Sequence, residues 1–332
     1  MSNESKNHHY NPQFFLRRWS DDGSKVWSTF CPPHSLEKNT SLRPISRSAS
    51  MNDLYNIKPP YRNDPGIVFF WKYLSARHCR QKPSSLNFEH SVFQDVDDRA
   101  ATVLSKIISG SAQELHDLSD HERHSLYKYM YLLQARNPKV MARTYKAMEE
   151  LLDNANGPIA SLRKLKKPNE ILNFFRSLRE DNNLAKMALL SNSYEDDHID
   201  KIFDGMKIVI MNTSSQYGLF VTSDYPYITF PDIGDEQSIH FFPISPNKCI
   251  VMTKEAKWDI FLKCLVKPGK ETNAVKLINF VMSVSSRQIF STTREAGETS
   301  GQFLDWIDTN RNECQLYFKS LLGNLITDED MC

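Results

Sequence analysis

Two short stretches of the chain crowd together side chains able to hold an anion and move a proton. The first is His8-His9-Tyr10-Asn11-Pro12-Gln13-Phe14-Phe15-Leu16-Arg17-Arg18-Trp19. Adjacent histidines in an extended segment face opposite sides, so only one of them can serve a given pocket. On the short helix that Pro12 can open, Gln13 and Arg17 share a face, and Phe14 and Arg18 share the next. One histidine, Tyr10, Gln13 and Arg17 can therefore converge on a single anion. Imidazole exchanges a proton near neutral pH, and guanidinium grips phosphate or carboxylate through two parallel bonds. The structural alternative has His and Tyr capping the helix while Arg17 makes a buried ion pair.

The second stretch, Phe220-Val221-Thr222-Ser223-Asp224-Tyr225-Pro226, leaves a predicted strand for a polar turn ended by proline. Functional groups often sit at such places. Ser223 and Asp224 can orient a histidine, bind a metal, or make an Asx-type turn that satisfies backbone N–H groups. One Asp with no carboxylate beside it gives little support to a metal, so a divalent cation stays an open question. Gln134 and Arg136, at the end of a predicted helix, can reach a pocket beyond it, or Arg136 can complement the helix dipole. His121 and His124 share a helical face, which reads as solvated polarity because no acid stands at metal-site spacing. Arg43, Arg47, Arg62, Arg77 and Arg80 interleave with Tyr55, Tyr61, Trp71 and Tyr73. That pattern suits either phosphate gripping and base stacking on nucleic acid or a solvated basic loop. No phosphate-loop, dinucleotide-binding, nucleophile-elbow or zinc-protease motif occurs, so no nucleotide-cofactor chemistry is signalled.

These residues depend on elements with a coarse but readable pattern. Residues 1–85 are rich in turn formers, with a short strand expected over 25–30 and ordered loop at best over 32–64. From about residue 86 helices follow. Val92, Val96, Ala100, Val103, Leu104 and Ile107 line one face, and Ser119-Asp-His-Glu122 has the capping-box spacing of a helix running to Arg136. Further helices are expected over 140–155, 159–178 and 183–204. The period then falls to two, giving strands at 207–211, 218–222, 239–242 and 249–252. Helices return at 254–265 and 272–284, a strand at 288–291, and a last helix at 300–322. The fold class is α+β: a central helical block packed on a small antiparallel or mixed sheet, with an irregular N-terminal segment docking across it.

Composition narrows the class. Of 332 residues, 41 are Lys or Arg and 40 are Asp or Glu, a net charge of +1. This excludes a uniformly basic nucleic-acid coat and an acidic solvating tail. The balance is a cancellation, because residues 1–80 hold 12 basic residues against 6 acidic ones. A basic front on an acidic remainder points to an anion-binding surface or to intramolecular docking. The 6 cysteines are dispersed without a C-x-x-C pair, which argues against a disulfide framework. No apolar run approaches membrane-spanning length, and no apolar leader marks export, so the expected setting is cytoplasmic, without membrane partners.

The opening His8-His9-Tyr10-x-Pro12-Gln13-Phe14-x-Leu16-Arg17-x-Trp19 resembles the signature H-H-Y-x-P-Q-F-x-L-R-x-F of a large bacterial domain family of unknown function. Trp19 stands where that signature has Phe. Phe220-x-Thr222-Ser223-Asp224-x-Pro226 resembles the family's T-S-D-x-P element, and Phe242-Pro243-Ile244-Ser245-Pro246 its F-P-L-S-P element. Val26-Trp27, Asp53-Leu54-Tyr55 and Asn279 to Ser291 resemble further family elements. Gln134-x-Arg136-x-Pro138 is similar to a Q-x-x-R-x-P element with one residue less. The resemblance covers about residues 8–293. It implies one domain over 1–293, comprising a basic loop-rich segment (1–85), a helical block (86–205) and a strand-rich part (206–293). Residues 294–332 are then a C-terminal helical extension.

A signature made largely of polar groups implies a shared site more than shared packing. The leading expectation is a hydrolase acting on a phosphate-containing substrate, a nuclease or nucleotide phosphodiesterase. His8 or His9 would be the acid/base, Arg17 and Arg136 would hold the anion, and Asp224 would orient the histidine or a cation. Tyr10, Gln13 and Ser223 would supply hydrogen bonds. The alternative is a non-catalytic module that binds a nucleotide, a nucleic acid or a protein through the same pocket.

Overall fold

The computed structural model describes residues 7–32, 37–52, 54–55, 93–110, 117–153, 196–230, 238–255, 258–304 and 310–326. They belong to two compact units, one drawn from residues 1–8, 51–98 and 135–199, the other from 9–50, 99–134 and 200–332. The helices expected over 159–178 and most of 183–204 lie outside the described residues, as do Asp53, Arg62, Arg77, Arg80, Tyr61, Trp71 and Tyr73.

The larger unit is α+β, as its periodicities predict. Strands β2 (Lys25–Phe30), β3 (Asn39–Pro44), β6 (Thr222–Ser223) and β10 (Gln288–Ser291) form one antiparallel sheet in the order β3-β2-β10-β6. A second contains β5 (Lys207–Asn212), β7 (Ile228–Phe230), β8 (Ile239–Ser245) and β9 (Lys248–Thr253), in the order β5-β9-β8-β7. Two shorter strands, β1 (Asn7–His9) and β4 (Ser50–Asn52), pair with each other. The loop expected over 32–64 therefore carries β3 and β4. Every residue of β8 is buried, so the strand is covered on both faces. Pro243 lies inside that strand where the register shifts, the kind of position at which a missing N–H does no harm.

Of the helices, α1 (Gln13–Leu16) runs directly into a 3-10 turn at Arg17–Trp19, and α2 spans Gln94–Ser109. Helix α3 (Asp120–Ala135) opens on the expected capping box: Ser119 Oγ accepts from the Glu122 N–H, and Glu122 returns a carboxylate oxygen to the Ser119 N–H. Helix α4 (Pro138–Asp153) starts earlier than its apolar face announces. Asn137 Oδ1 accepts from the Lys139 N–H, and Pro138 occupies a first turn that has no use for its missing donor. Helix α5 covers Asp196–Phe203, α6 Asp259–Leu265 and α7 Glu271–Val284. Expected as one helix over 300–322, the C-terminal part forms α8 (Arg294–Gly301) and α9 (Arg311–Leu325). The Thr293 side chain caps α8 by accepting from the Ala296 N–H, which fixes a start that apolar spacing alone does not mark.

The core of this unit gathers around α7, whose Leu277, Ile278, Val281 and Met282 are fully or almost fully buried with Phe220, Phe241, Val251 and Ile289. Side chains of this size contribute about 1.5–3 kcal/mol each when removed from water. Helix α8 lies hard against β2 and β10 because Gly297 and Gly301 face them. A Cβ on Gly297 would sit 2.8 Å from Ser291 Oγ and 2.9 Å from Thr29 Oγ1. Among the described residues, no helix is long and apolar enough to cross a membrane.

Candidate functional site

The signature residues fall into two settings. In the smaller unit, His8 is fully buried, and its Nδ1 accepts from the Tyr55 N–H at 2.9 Å. The two rings stack at 5.5 Å with planes 8° apart. The Tyr55 hydroxyl donates to the Arg136 carbonyl at 3.0 Å, and Phe93 packs edge-on against Tyr55. Arg136, expected to hold an anion, already has one: its Nη2 and Nη1 donate to the two oxygens of Asp97 at 3.0 and 3.2 Å. Its guanidinium carbon lies 5.3 Å from the Phe93 ring centre. Buried, stacked and bidentate, Arg136 is a framework residue, and His8 shares its role because the Nδ1 lone pair is occupied by backbone.

The larger unit holds His9, Tyr10, Gln13, Arg17, Ser223 and Asp224. Its two motifs meet there. Asn11 donates from Nδ2 to the Ser223 carbonyl at 2.6 Å, and Tyr10 lies close enough to feel the Asp224 charge. Burial is the main force that pushes the Tyr10 phenol far above its ordinary value, and Asp224 adds to it. Tyr10 is thus a donor that stays protonated. Asp224 makes no Asx turn, because Pro226 two residues on has no N–H to give; its Oδ1 instead accepts from the distant N–H groups of Arg287 and Gln288 at 3.1 and 3.3 Å. Ser223 Oγ accepts from the Tyr225 N–H at 3.1 Å. Asn279 of α7 holds the approach to this turn, accepting from the Val221 N–H and donating to the Leu219 carbonyl.

His9 is half-buried beside the start of α1. Its Nε2 lies 3.2 Å from the Ser46 carbonyl and 3.5 Å from Gln13 Nε2. Arg17, one turn beyond Gln13, is exposed. Helix α1 is held in place by its apolar side. Phe15 stacks on Phe242 at 5.6 Å and touches Trp19 at 4.9 Å, and all three are fully buried. On the next face, Phe14 packs on Tyr129 at 5.8 Å, and the Arg18 guanidinium carbon lies 5.3 Å from the Phe14 ring centre. Burial lowers Arg18 below its ordinary value, with Tyr129 acting the other way, yet a guanidinium remains charged at neutral pH.

Sequence reasoning missed Asn11, Asn279 and Arg18. Asn11 stands at an unspecified position of the signature, yet its amide crosses to Ser223. Arg18 occupies a position that the resemblance leaves free, and only its i,i+4 relation to Phe14 hinted at the stack. Of the remaining polar candidates, Gln134 donates to Thr229 Oγ1 at 3.4 Å and His124 Nδ1 meets Asp200 at 2.7 Å. Among the described residues, no group of three His, Cys, Asp or Glu side chains is placed to hold a metal ion.

The comparisons with known proteins agree with the resemblance. No curated protein and no solved structure matches the chain. Residues 7–295 match the family described as "Protein of unknown function (DUF4238)". That span takes in the histidine pair, the T-S-D turn and the β10 strand that anchors it, and the chain belongs to the DUF4238 family.

Proposed function

We propose that this chain binds a phosphate-bearing ligand, a nucleotide or a nucleic-acid phosphate, without hydrolysing it. The observation that carries the reading is the half-exposed face of α1. His9 is fixed there by Ser46, Gln13 stands beside it, and Arg17 is exposed one turn on. Residues 9–50 of the same unit hold 6 basic side chains against 3 acidic ones, which favours an anionic ligand. Binding fits better than hydrolysis because Asp224 Oδ1 and the His8 Nδ1 lone pair are engaged with backbone N–H groups. General acid/base work needs such groups turned toward a substrate.

The test is a panel of nucleotides, RNA and DNA, assayed for both binding and turnover with the full chain. Binding is expected to weaken as salt rises and to weaken again in Arg17→Gln, with the ligand recovered unchanged. Turnover of a phosphodiester that disappears in His9→Ala would restore the hydrolytic reading and refute this one.

A further inference from the structure

Arg18 and Arg136 form an instructive pair. Each guanidinium carbon lies 5.3 Å from the centre of a phenylalanine ring, Phe14 for one and Phe93 for the other. Arg136 is drawn almost wholly out of water, and Arg18 partly so. Arg136 has its charge answered by the two oxygens of Asp97. Arg18 has no such answer. No ion pair joins it to a carboxylate among the described residues, and its Nη1 is buried without any hydrogen-bond partner. An aromatic ring beneath a guanidinium offsets part of the charge but offers no acceptor to N–H groups that lie in the guanidinium plane. A permanently charged fork, partly desolvated and left with one buried unused donor, is a costly arrangement that native structures resolve with an acceptor.

We infer that the missing partner of Arg18 is an oxyanion of the ligand, and that Arg18, braced by Phe14 and Tyr129, is the phosphate-gripping residue, on the face of α1 next to that of Gln13 and Arg17. The inference rests on the phosphate-binding reading and adds the residue and the chemical group to it. A phosphate or pyrophosphate fits better than a carboxylate. Phosphate and carboxylate can each take two parallel bonds from one guanidinium, but the higher total charge of a phosphate gains more from the second, exposed cation at the adjacent Arg17. Arg18 would thus supply directional hydrogen bonds, and Arg17 the longer-range attraction.

The experiment titrates the full chain with sodium pyrophosphate, and with one oligonucleotide carrying either a 5′-phosphate or a 5′-hydroxyl, by calorimetry at low salt. The wild-type chain is compared with Arg18→Met, Arg18→Lys and Arg17→Gln, and each is also melted without ligand. Loss of hydrogen bonds to a charged group predicts a roughly ten- to hundredfold weaker affinity in Arg18→Met. The ligand-free melting temperature of that variant should stay level or rise, because a desolvated charge has been removed. Arg18→Lys keeps the charge but loses the planar fork, so it should also bind several-fold more weakly; it decides the matter if the methionine variant does not fold. Arg17→Gln should weaken binding less and flatten its salt dependence. Arg18-dependent binding of pyrophosphate alone identifies a free phosphate group as the ligand. Arg18-dependent preference for the 5′-phosphorylated strand identifies a nucleic-acid end. Either result supports the inference. Wild-type affinity in both Arg18 variants, with a loss in Arg17→Gln, overturns it and leaves the phosphate-binding reading standing. No binding of any probe by the wild-type chain overturns both.

Discussion

His240 should make the protein lose stability in mild acid, by an amount that its surroundings set. Its side chain is 2% exposed, on β8, between two hydroxyl partners. The Tyr227 hydroxyl meets Nδ1, and Ser238 Oγ lies 2.9 Å from Nε2. Burial, reinforced by the positive charge of Lys254, depresses its pKa from 6.5 to about 4. The sign follows directly. Below pH 6.5 the unfolded chain takes up a proton that the folded chain refuses until about pH 4, so stability falls as pH drops through that window. The slope is about 1.4 kcal/mol per pH unit, and the whole loss amounts to about 3 kcal/mol, levelling off below pH 4. Urea unfolding followed by far-UV circular dichroism, at half-unit steps between pH 7 and pH 3.5, measures it. His240→Gln keeps hydrogen-bonding capacity and removes the titration, so its stability should fall about 3 kcal/mol less than that of the wild type over this range. Glu122, held down from 4.5 to about 2 by Lys106 and by the Ser119 N–H and hydroxyl, also loses its contribution as the pH falls below about 4.5, but it does so in both proteins and cancels in the comparison. Parallel pH profiles for the two proteins would refute the reasoning.

Two further substitutions test the framework. Asp97→Asn leaves the buried Arg136 guanidinium without its counter-charge and should cost about 3–5 kcal/mol in urea unfolding, whereas a surface ion pair such as Arg294–Glu298 should give less than about 1 kcal/mol on breaking. Gly297→Ala drives a methyl into Ser291 and Thr29 and should cost about 1–3 kcal/mol, read as a lower melting temperature; an unchanged melt would mean that α8 can slide on its sheet.

The fold was legible wherever local pattern and tertiary contact agree. Helix α7 and strand β10 follow their apolar spacing, and α3 follows its capping box. Strand β3 was not legible, because Asn39-Thr-Ser-Leu-Arg-Pro44 carries no apolar alternation and is held by its ladder to β2. The T-S-D turn was readable as a turn, but Ser223 closes it locally, while Asp224 reaches the N–H groups of Arg287 and Gln288, 63 and 64 residues away. The division of the signature histidines between framework and surface was not readable. It depends on Tyr55, 47 residues away from His8, and on Ser46, 37 residues away from His9. The same holds for Arg136, whose partner Asp97 lies 39 residues upstream. Spacing along one chain names the chemistry available to a side chain; it does not say which distant group has already claimed it.

The grip of Asn279 on residues 219–221 has a consequence for the company this protein can keep. A side-chain amide that accepts from one backbone N–H and donates to a nearby carbonyl offers the same pair of bonds that a neighbouring strand would offer. Immediately beyond, β6 forms the margin of its sheet with β10 on one side. An unclaimed margin of this kind is where a second polypeptide adds itself by strand pairing. Along the approach to the T-S-D turn, a helix has filled that place with a single asparagine. The Val221 N–H and the Leu219 carbonyl are thereby already taken, and no added strand can pair with them without first displacing Asn279.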